Sequence, residues 1–197
     1  MELVAKAAPY LATHGSTSAR LDAELLLAEA LGIERMDLYL QFDRPLKREE
    51  VDRFRVLCRR RAGGEPIAYI RGRREFMSVD LQVAPAVMIP RPETEILVEE
   101  ALRLAGGRPS VRVLDVGTGS GAIAIAVAVH SPGARVVGTD VSNEALEVAA
   151  LNVERLDLQD RVDLRQADLA TGIDGPFDLV LAKLPYIDRA WPEAVTA

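Results

Sequence analysis

The sequence contains little cysteine and histidine, and this shortage excludes two kinds of site. Cys58 is the only cysteine among 197 residues and there are two histidines. Neither a disulfide framework nor a Cys/His metal site is therefore expected. The longest apolar run, Ala122 to Val129, is far shorter than the ~20 residues of a membrane span. The first residues lack the basic start and apolar stretch of a signal peptide. We expect a soluble, cytoplasmic protein that binds no metal and no membrane.

What the chain does contain is an ordinary globular composition, 49% hydrophobic and 27% charged, with an uneven distribution of charge. Residues 1–74 carry 14 Lys/Arg and 11 Asp/Glu, whereas residues 75–197 carry 10 and 19. This asymmetry indicates two modules with different partners. The arginines of the first module form either a solvated helix face or a basic surface for an acidic or RNA-bound partner. Because no aromatic residues alternate with them, direct nucleic-acid binding is not expected.

Hydrophobic periodicity divides the chain into a helical part and a part in which strands and helices alternate. Residues 1–73 have apolar residues at helical spacing, which predicts a helical bundle. Residues 74–90 alternate as in strands and predict a hairpin connector. Residues 91–197 alternate between strand and helix patterns, which is typical of βαβ units around a parallel sheet. The predicted fold class is α/β: a helical bundle followed by a Rossmann-like domain with strand order 3-2-1-4.

A glycine-rich turn follows the first strand of the Rossmann-like domain and opens a helix. Its sequence, from Asp115 to Ala122, is Asp-Val-Gly-Thr-Gly-Ser-Gly-Ala. Glycine lets the backbone turn sharply and approach a ligand closely, but it costs stability where a side chain would serve as well. Three glycines within five residues are therefore poorly explained by a plain strand-to-helix turn and predict a binding loop.

Two classes of ligand fit this loop. Read as G-x-G-x-x-A, it holds the pyrophosphate of a dinucleotide, as in a nicotinamide-dependent oxidoreductase. Asp115 favours the second class, since a carboxylate beside the loop repels a pyrophosphate but attracts the positive charges of S-adenosylmethionine. Asp140 and Asp168, at the ends of the next two strands, are predicted to bind ribose and adenine. The residues predicted to hold S-adenosylmethionine are Asp115, Gly117, Thr118, Gly119, Ser120, Gly121, Asp140, Asp168, Leu169 and Lys183.

Four segments, taken together, resemble the release factor glutamine methyltransferases of the HemK type. They occur in the family order and at the family spacing: Glu65 to Ile70, Arg74 to Phe76, Ile89 to Glu95 and Asp115 to Ile123. The glycine loop alone indicates a methyltransferase of any kind. The Pro-Arg-Pro-Glu-Thr-Glu run within the third segment makes the resemblance specific, and it extends over nearly the whole chain.

The resemblance implies a substrate-docking helical bundle and a class I methyltransferase domain. The implied reaction transfers a methyl group from S-adenosylmethionine to the side-chain amide of the glutamine in the Gly-Gly-Gln loop of peptide chain release factors. Lys183, Pro185 and Tyr186 fall at the implied catalytic positions after the fourth strand. The implied substrate-binding residues are Lys183, Leu184, Pro185, Tyr186, Arg91, Pro92 and Glu93.

The sequence departs from the family pattern in two places. The family has Asn-Pro-Pro-Tyr where this chain has Lys183-Leu184-Pro185-Tyr186. The asparagine carbonyl is implied to accept hydrogen bonds from the substrate amide, whereas a charged lysine has only donors. We therefore expect weak glutamine methylation; the alternative is a relative that binds cofactor or release factor without efficient turnover. The family sheet also has seven strands and four are predicted here, so we expect a truncated form that is marginally stable alone or self-associates through an exposed strand edge.

Overall fold

The computed structural model describes residues 1–184, and its contacts divide the chain into two compact units, the first ending at Arg73. The first unit is helical. Leu11, Leu26 and Phe54 lie in its core with at most 3% of their surface exposed. Its elements are α1 (Glu2–Thr13), α2 (Ala19–Leu31), α3 (Asp37–Leu40), α4 (Arg48–Ala62) and α5 (Ile67–Arg71).

A hairpin of two short strands leads into the second unit. Its strands are β1 (Arg73–Phe76) and β2 (Val79–Gln82). The two turn residues, Met77 and Ser78, both have positive φ angles, of 49° and 59°, as in the two-residue type I′ turns that match strand twist. Phe76 and Leu81 are at most 2% exposed and lie in the core of the second unit. The hairpin therefore packs with the second unit.

Up to residue 184, the rest of the second unit consists of four parallel strands and three helices. The strand order is β5-β4-β3-β6, which agrees with the predicted order 3-2-1-4, and all pairings are parallel. The α/β fold class, with a helical bundle before a Rossmann-like sheet, is thus confirmed. The elements are α6 (Glu93–Ala105), β3 (Val111–Val116), α7 (Ala122–His130), β4 (Ala134–Asp140), α8 (Asn143–Arg155), β5 (Val162–Gln166) and β6 (Leu179–Ala182).

Helix α7 carries apolar residues on every side, and strands and helices of the second unit surround it. Residues 122–128 are all buried, and the helix contacts β3, β4 and β5 as well as α6 and α8. This explains the longest apolar run of the sequence as a core helix. Within residues 1–184, no helix has the length and apolar character needed to cross a membrane.

Strand β6 is the edge of the sheet within residues 1–184. It pairs with β3 from Val113↔Leu179 to Val116↔Ala182, and Val180 is 62% exposed. Exposed apolar edges favour association between chains. The self-association expected from the sequence stays a prediction.

Candidate active site

A cavity of about 410 Å³ opens at the carboxyl ends of the parallel strands, where the chain order reverses between β3 and β6. Open parallel sheets bind their ligands at this position. The volume lies within the ~300–1,000 Å³ typical of small-molecule sites. The cavity is lined by residues 116–120, by the residues at the ends of β4, β5 and β6, and by residues 86–88, 90 and 91 before α6.

The glycine loop (residues 117–121) is held by the backbone of β4. The carbonyl oxygen of Thr139 accepts hydrogen bonds from the N–H groups of Gly117 and Thr118, at 2.9 and 2.8 Å. Gly117 has a φ of +72°, which glycine adopts without steric cost. A Cβ at Gly117 would also lie 2.7 Å from a methyl group of Leu184. The turn therefore requires glycine at this position, whereas the Leu184 methyl group is the end of a flexible side chain and could move aside.

Asp140 connects the end of β4 to the glycine loop. Its Oδ2 accepts from the N–H of Gly119 at 2.9 Å, and its Oδ1 accepts from the N–H of Ser142 at 3.1 Å. A carboxylate has about four acceptor positions. Two remain after these bonds, and Asp140 lines the cavity. This geometry suits a ligand that carries neighbouring hydroxyl groups.

Asp115 is completely buried behind the glycine loop. Its Oδ2 accepts from the hydroxyl of Thr118 at 2.7 Å and from the N–H of Ala124, in the first turn of α7, at 3.2 Å. Within the described residues, its Oδ1 has no hydrogen-bond partner. Burial raises the pKa of Asp115 from its ordinary 3.8 to about 6, although both hydrogen bonds act in the opposite direction.

This placement differs from the direct contact between Asp115 and a ligand that we predicted from the sequence. The side chain does not line the cavity, so its charge acts through the loop and through the end of α7. The hydroxyl of Thr118 donates its proton to Asp115 and therefore cannot also donate it to the carboxylate of a ligand. The prediction for these two residues missed the bond between them because it is a tertiary contact.

A second cavity, of about 610 Å³, adjoins the first. Arg91 and Lys183 line both cavities and bring positive charge to the boundary between them. Two adjoining cavities provide room for two ligands side by side. The second cavity is lined by Met88, Arg91, Glu93, Thr94, Leu97, Ala182 and Lys183.

Comparison with known proteins identifies the family. Residues 2–72 match the PrmC N-terminal domain family, and residues 108–195 match a family described as methyltransferase domain. The release factor glutamine methyltransferase of Rhodopirellula baltica is 46% identical over 196 residues, covering 96% of this chain and 66% of the relative. The protein of the same name from Chlorobaculum tepidum is 42% identical over 200 residues, covering 96% and 68%. The chain belongs to the release factor glutamine methyltransferase family.

This member of the release factor glutamine methyltransferase family spans about two thirds of the length of the curated relatives it matches. A crystal structure of a ribosomal protein L11 methylase from Lactobacillus delbrueckii subsp. bulgaricus aligns with a TM-score of 0.44 and 30% identity. That alignment covers 52% of this chain and 51% of the other.

The first cavity brings together most of the residues predicted for the methyl donor. Gly121 is buried and precedes the first residue of α7 instead of lining the cavity. Within residues 1–184, no cluster of three His, Cys, Asp or Glu side chains is placed to hold a metal ion. The predicted donor residues that line the cavity are Gly117, Thr118, Gly119, Ser120, Asp140, Asp168, Leu169 and Lys183.

The residues predicted for the methyl acceptor are divided among several places. Arg91, Glu93 and Lys183 line the second cavity, and Leu184 lines the first. Pro92 precedes the first residue of α6, and no cavity contact places it at the site. Pro185 and Tyr186 lie outside the described residues. The roles assigned to all of these residues stay predictions.

Two buried polar side chains support the site but were not identified from the sequence. Thr139 donates to the carbonyl oxygen of Leu169 at 2.7 Å, and Asn152 donates to that of Ser120 at 2.9 Å. Both are fully buried. The sequence pattern could have indicated Asn152, because it is the one polar residue at the helical spacing that forms the buried face of α8. That face consists of Ala145, Val148, Ala149, Asn152 and Val153.

The raised pKa of Asp115 gives a testable pH dependence. Because the folded-state pKa exceeds the unfolded value, the carboxyl contributes stability that is present below pH 3.8 and is lost as the pH rises through about 6. The loss amounts to about 3 kcal/mol, at ~1.4 kcal/mol per pKa unit. The Asp115→Asn variant cannot titrate at this position and keeps an acceptor for Thr118 and Ala124.

We therefore expect the unfolding free energy of the wild type, relative to Asp115→Asn, to fall by about 3 kcal/mol over this pH window. Urea denaturation of both proteins at a series of pH values measures the difference, in which titrating groups that do not interact with Asp115 cancel. A difference that does not change with pH would show that the pKa of Asp115 is not raised.

Proposed function

We propose that the chain binds S-adenosylmethionine in the first cavity and methylates the side-chain amide of a glutamine in a peptide chain release factor. Membership of the family supports the reaction class, and the names of the relatives support the substrate. The observation that carries the choice of donor is the buried carboxylate of Asp115 at the start of α7. A cytoplasmic location follows from a substrate that acts in translation.

The start of α7 is better suited to a cation than to a pyrophosphate. A pyrophosphate binds through free N–H groups at a helix N-terminus. Here the N–H of Ala124, in the first turn of α7, donates to the buried carboxylate of Asp115. The positive end of the helix dipole therefore already faces a carboxylate, which repels an anion and attracts a cation.

The residues around the cavity fit the other parts of S-adenosylmethionine. When bound, this molecule supplies an electrophilic methyl group. Asp140 would accept hydrogen bonds from the ribose hydroxyls with its two remaining acceptor positions. Asp168 would accept from the adenine amino group, and Leu169, which is 55% exposed at the cavity wall, would cover the adenine ring. The backbone of Gly119, with no Cβ and nothing within 4 Å of the position a Cβ would take, leaves space for the ligand.

Lys183 occupies the position at which the substrate amide is oriented. It follows β6 directly and lines both cavities. An amide nitrogen is a weak nucleophile because its lone pair is delocalised, and an acceptor for its N–H groups orients and activates it. A lysine ammonium cannot accept. We infer that methylation is slow, with Pro185 and Tyr186 framing the amide, and that binding without efficient turnover is the competing function.

Methyl incorporation into a release factor tests the proposal. The full chain is incubated with S-adenosylmethionine carrying a labelled methyl group and with a release factor that contains the Gly-Gly-Gln loop. A release factor with that glutamine changed to alanine is the control. We expect slow labelling of the first protein and none of the second. Donor binding without label in either protein would favour the competing function, and equal label in both would contradict the assigned acceptor.

A further inference from the structure

Asn152 lies where three segments of the second unit meet. Its side chain, on α8, is completely buried. The Nδ2 donates to the carbonyl oxygens of Ser120 and Gln82, both at 2.9 Å, and the Oδ1 accepts from the N–H of Gln82 at 2.7 Å. Both N–H groups of the amide and its oxygen therefore have partners, which a buried polar side chain requires.

These three hydrogen bonds connect the two walls of the first cavity. Ser120 belongs to the glycine loop, on the side of the methyl donor. Gln82 is the last residue of β2 and precedes a segment that we call the strap (residues 83–91). Residues 86–88, 90 and 91 of the strap line the first cavity, and two of them, Met88 and Arg91, also line the second. One side chain thus spans from the donor loop to the base of the segment that borders the acceptor.

An apolar side chain could not replace these contacts. Without Asn152, the carbonyl oxygen of Ser120 would lose a partner in a buried place, and the N–H and carbonyl of Gln82 would lose theirs in a partly buried one. Polar groups left unpaired in this way move toward water or toward new partners. Either movement would shift the glycine loop relative to the strap. A role in packing alone would not require an amide at this position.

We propose that Asn152 is a positioning residue that holds the glycine loop and the strap in register, so that the donor cavity has its binding geometry. The proposal rests on the proposed function, since the donor is taken to be S-adenosylmethionine. It concerns the arrangement of the site and assigns Asn152 no contact with either reactant.

Calorimetric titration of Asn152→Ala and Val153→Ala with S-adenosylmethionine tests the proposal. Val153 is the neighbouring residue on α8, 4% exposed, and packs in the apolar core. Its truncation therefore destabilises the unit without removing a bond to the loop or the strap. We expect the dissociation constant to rise about tenfold or more in Asn152→Ala, as for the loss of one or more hydrogen bonds, and to stay unchanged in Val153→Ala.

Urea denaturation of both variants shows whether their losses of stability are comparable. A rise in the dissociation constant that is equal in the two variants, or none in Asn152→Ala, would overturn the proposal. Absence of binding by the wild type would instead contradict the proposed function, so the two failures are distinguishable.

Hydrogen exchange in the wild type provides a second measurement in case Asn152→Ala does not fold. Gln82 lines neither cavity, and its N–H donates to Asn152, so a ligand on the glycine loop can reach this N–H through Ser120 and Asn152. Saturation with S-adenosylmethionine is expected to slow exchange of the Gln82 amide. The amide of Val162, the first residue of β5 and so at the end of that strand away from the cavity, is the internal reference and should not change. Equal exchange at Gln82 with and without the donor would contradict the coupling.

Discussion

The Asp140→Ala variant is expected to bind S-adenosylmethionine about 100-fold more weakly than the wild type. Asp140 fixes the glycine loop through the N–H groups of Gly119 and Ser142 and has two acceptor positions left for the ribose. Hydrogen bonds to a charged group contribute ~1.5–3 kcal/mol each. Loss of about 3 kcal/mol of binding free energy corresponds to a factor of ~100 in the dissociation constant.

Two further variants make this result specific. Asp140→Asn keeps one oxygen acceptor and should lie between the wild type and Asp140→Ala. Asp160→Ala removes an exposed aspartate just before β5, at the opposite end of the strands, and should bind normally. Isothermal titration calorimetry measures all three variants. If Asp140→Ala binds the donor as tightly as Asp160→Ala does, then Asp140 does not hold the ribose.

The double variant Lys183→Asn/Leu184→Pro is expected to methylate the release factor about 100-fold faster, since one oriented hydrogen-bonding group in an active site changes rates by ~10²–10³. Asparagine supplies the acceptor that lysine lacks. It also removes an ammonium group from the boundary of the two cavities, where it would repel a sulfonium. Proline removes the Leu184 side chain, which lies against Gly117.

The control for this result is Lys183→Ala/Leu184→Pro, which removes the ammonium without supplying an acceptor. If the missing acceptor limits the rate, this control gains little. If charge repulsion limits it, the control gains as much as the asparagine variant. The initial rate of label transfer to the Gly-Gly-Gln release factor measures both. An asparagine variant with normal donor binding and no gain in rate would contradict the assignment of position 183.

The fold was predictable because its elements depend on local patterns. The strands at Val111–Val116 and Val162–Gln166 and the helix at Ala122–His130 follow the alternation of strand and helix patterns that residues 91–197 show. A chain in which strand and helix patterns alternate can adopt few sheet topologies, because crossovers between parallel strands are right-handed. The short helices α3 and α5 were not predicted, because four or five residues give too few turns for a periodic signal.

The candidate site was predictable only where it depends on the glycine loop and on the ends of the strands. Asp140 and Asp168 were found because the carboxyl ends of parallel strands meet at one edge. The burial of Asp115 and the bonds of Asn152 were not found, since each depends on residues distant in the sequence. Asn152 bonds to Gln82, 70 positions earlier, and to Ser120, 32 positions earlier. No local pattern contains such a pairing.

Titration of the full chain with S-adenosylmethionine and, separately, with NAD tests most directly whether a cationic donor occupies the first cavity. The buried carboxylate at the start of α7 leads us to expect saturable binding of S-adenosylmethionine and no heat of binding with NAD. Tight binding of NAD together with no binding of S-adenosylmethionine would contradict the account.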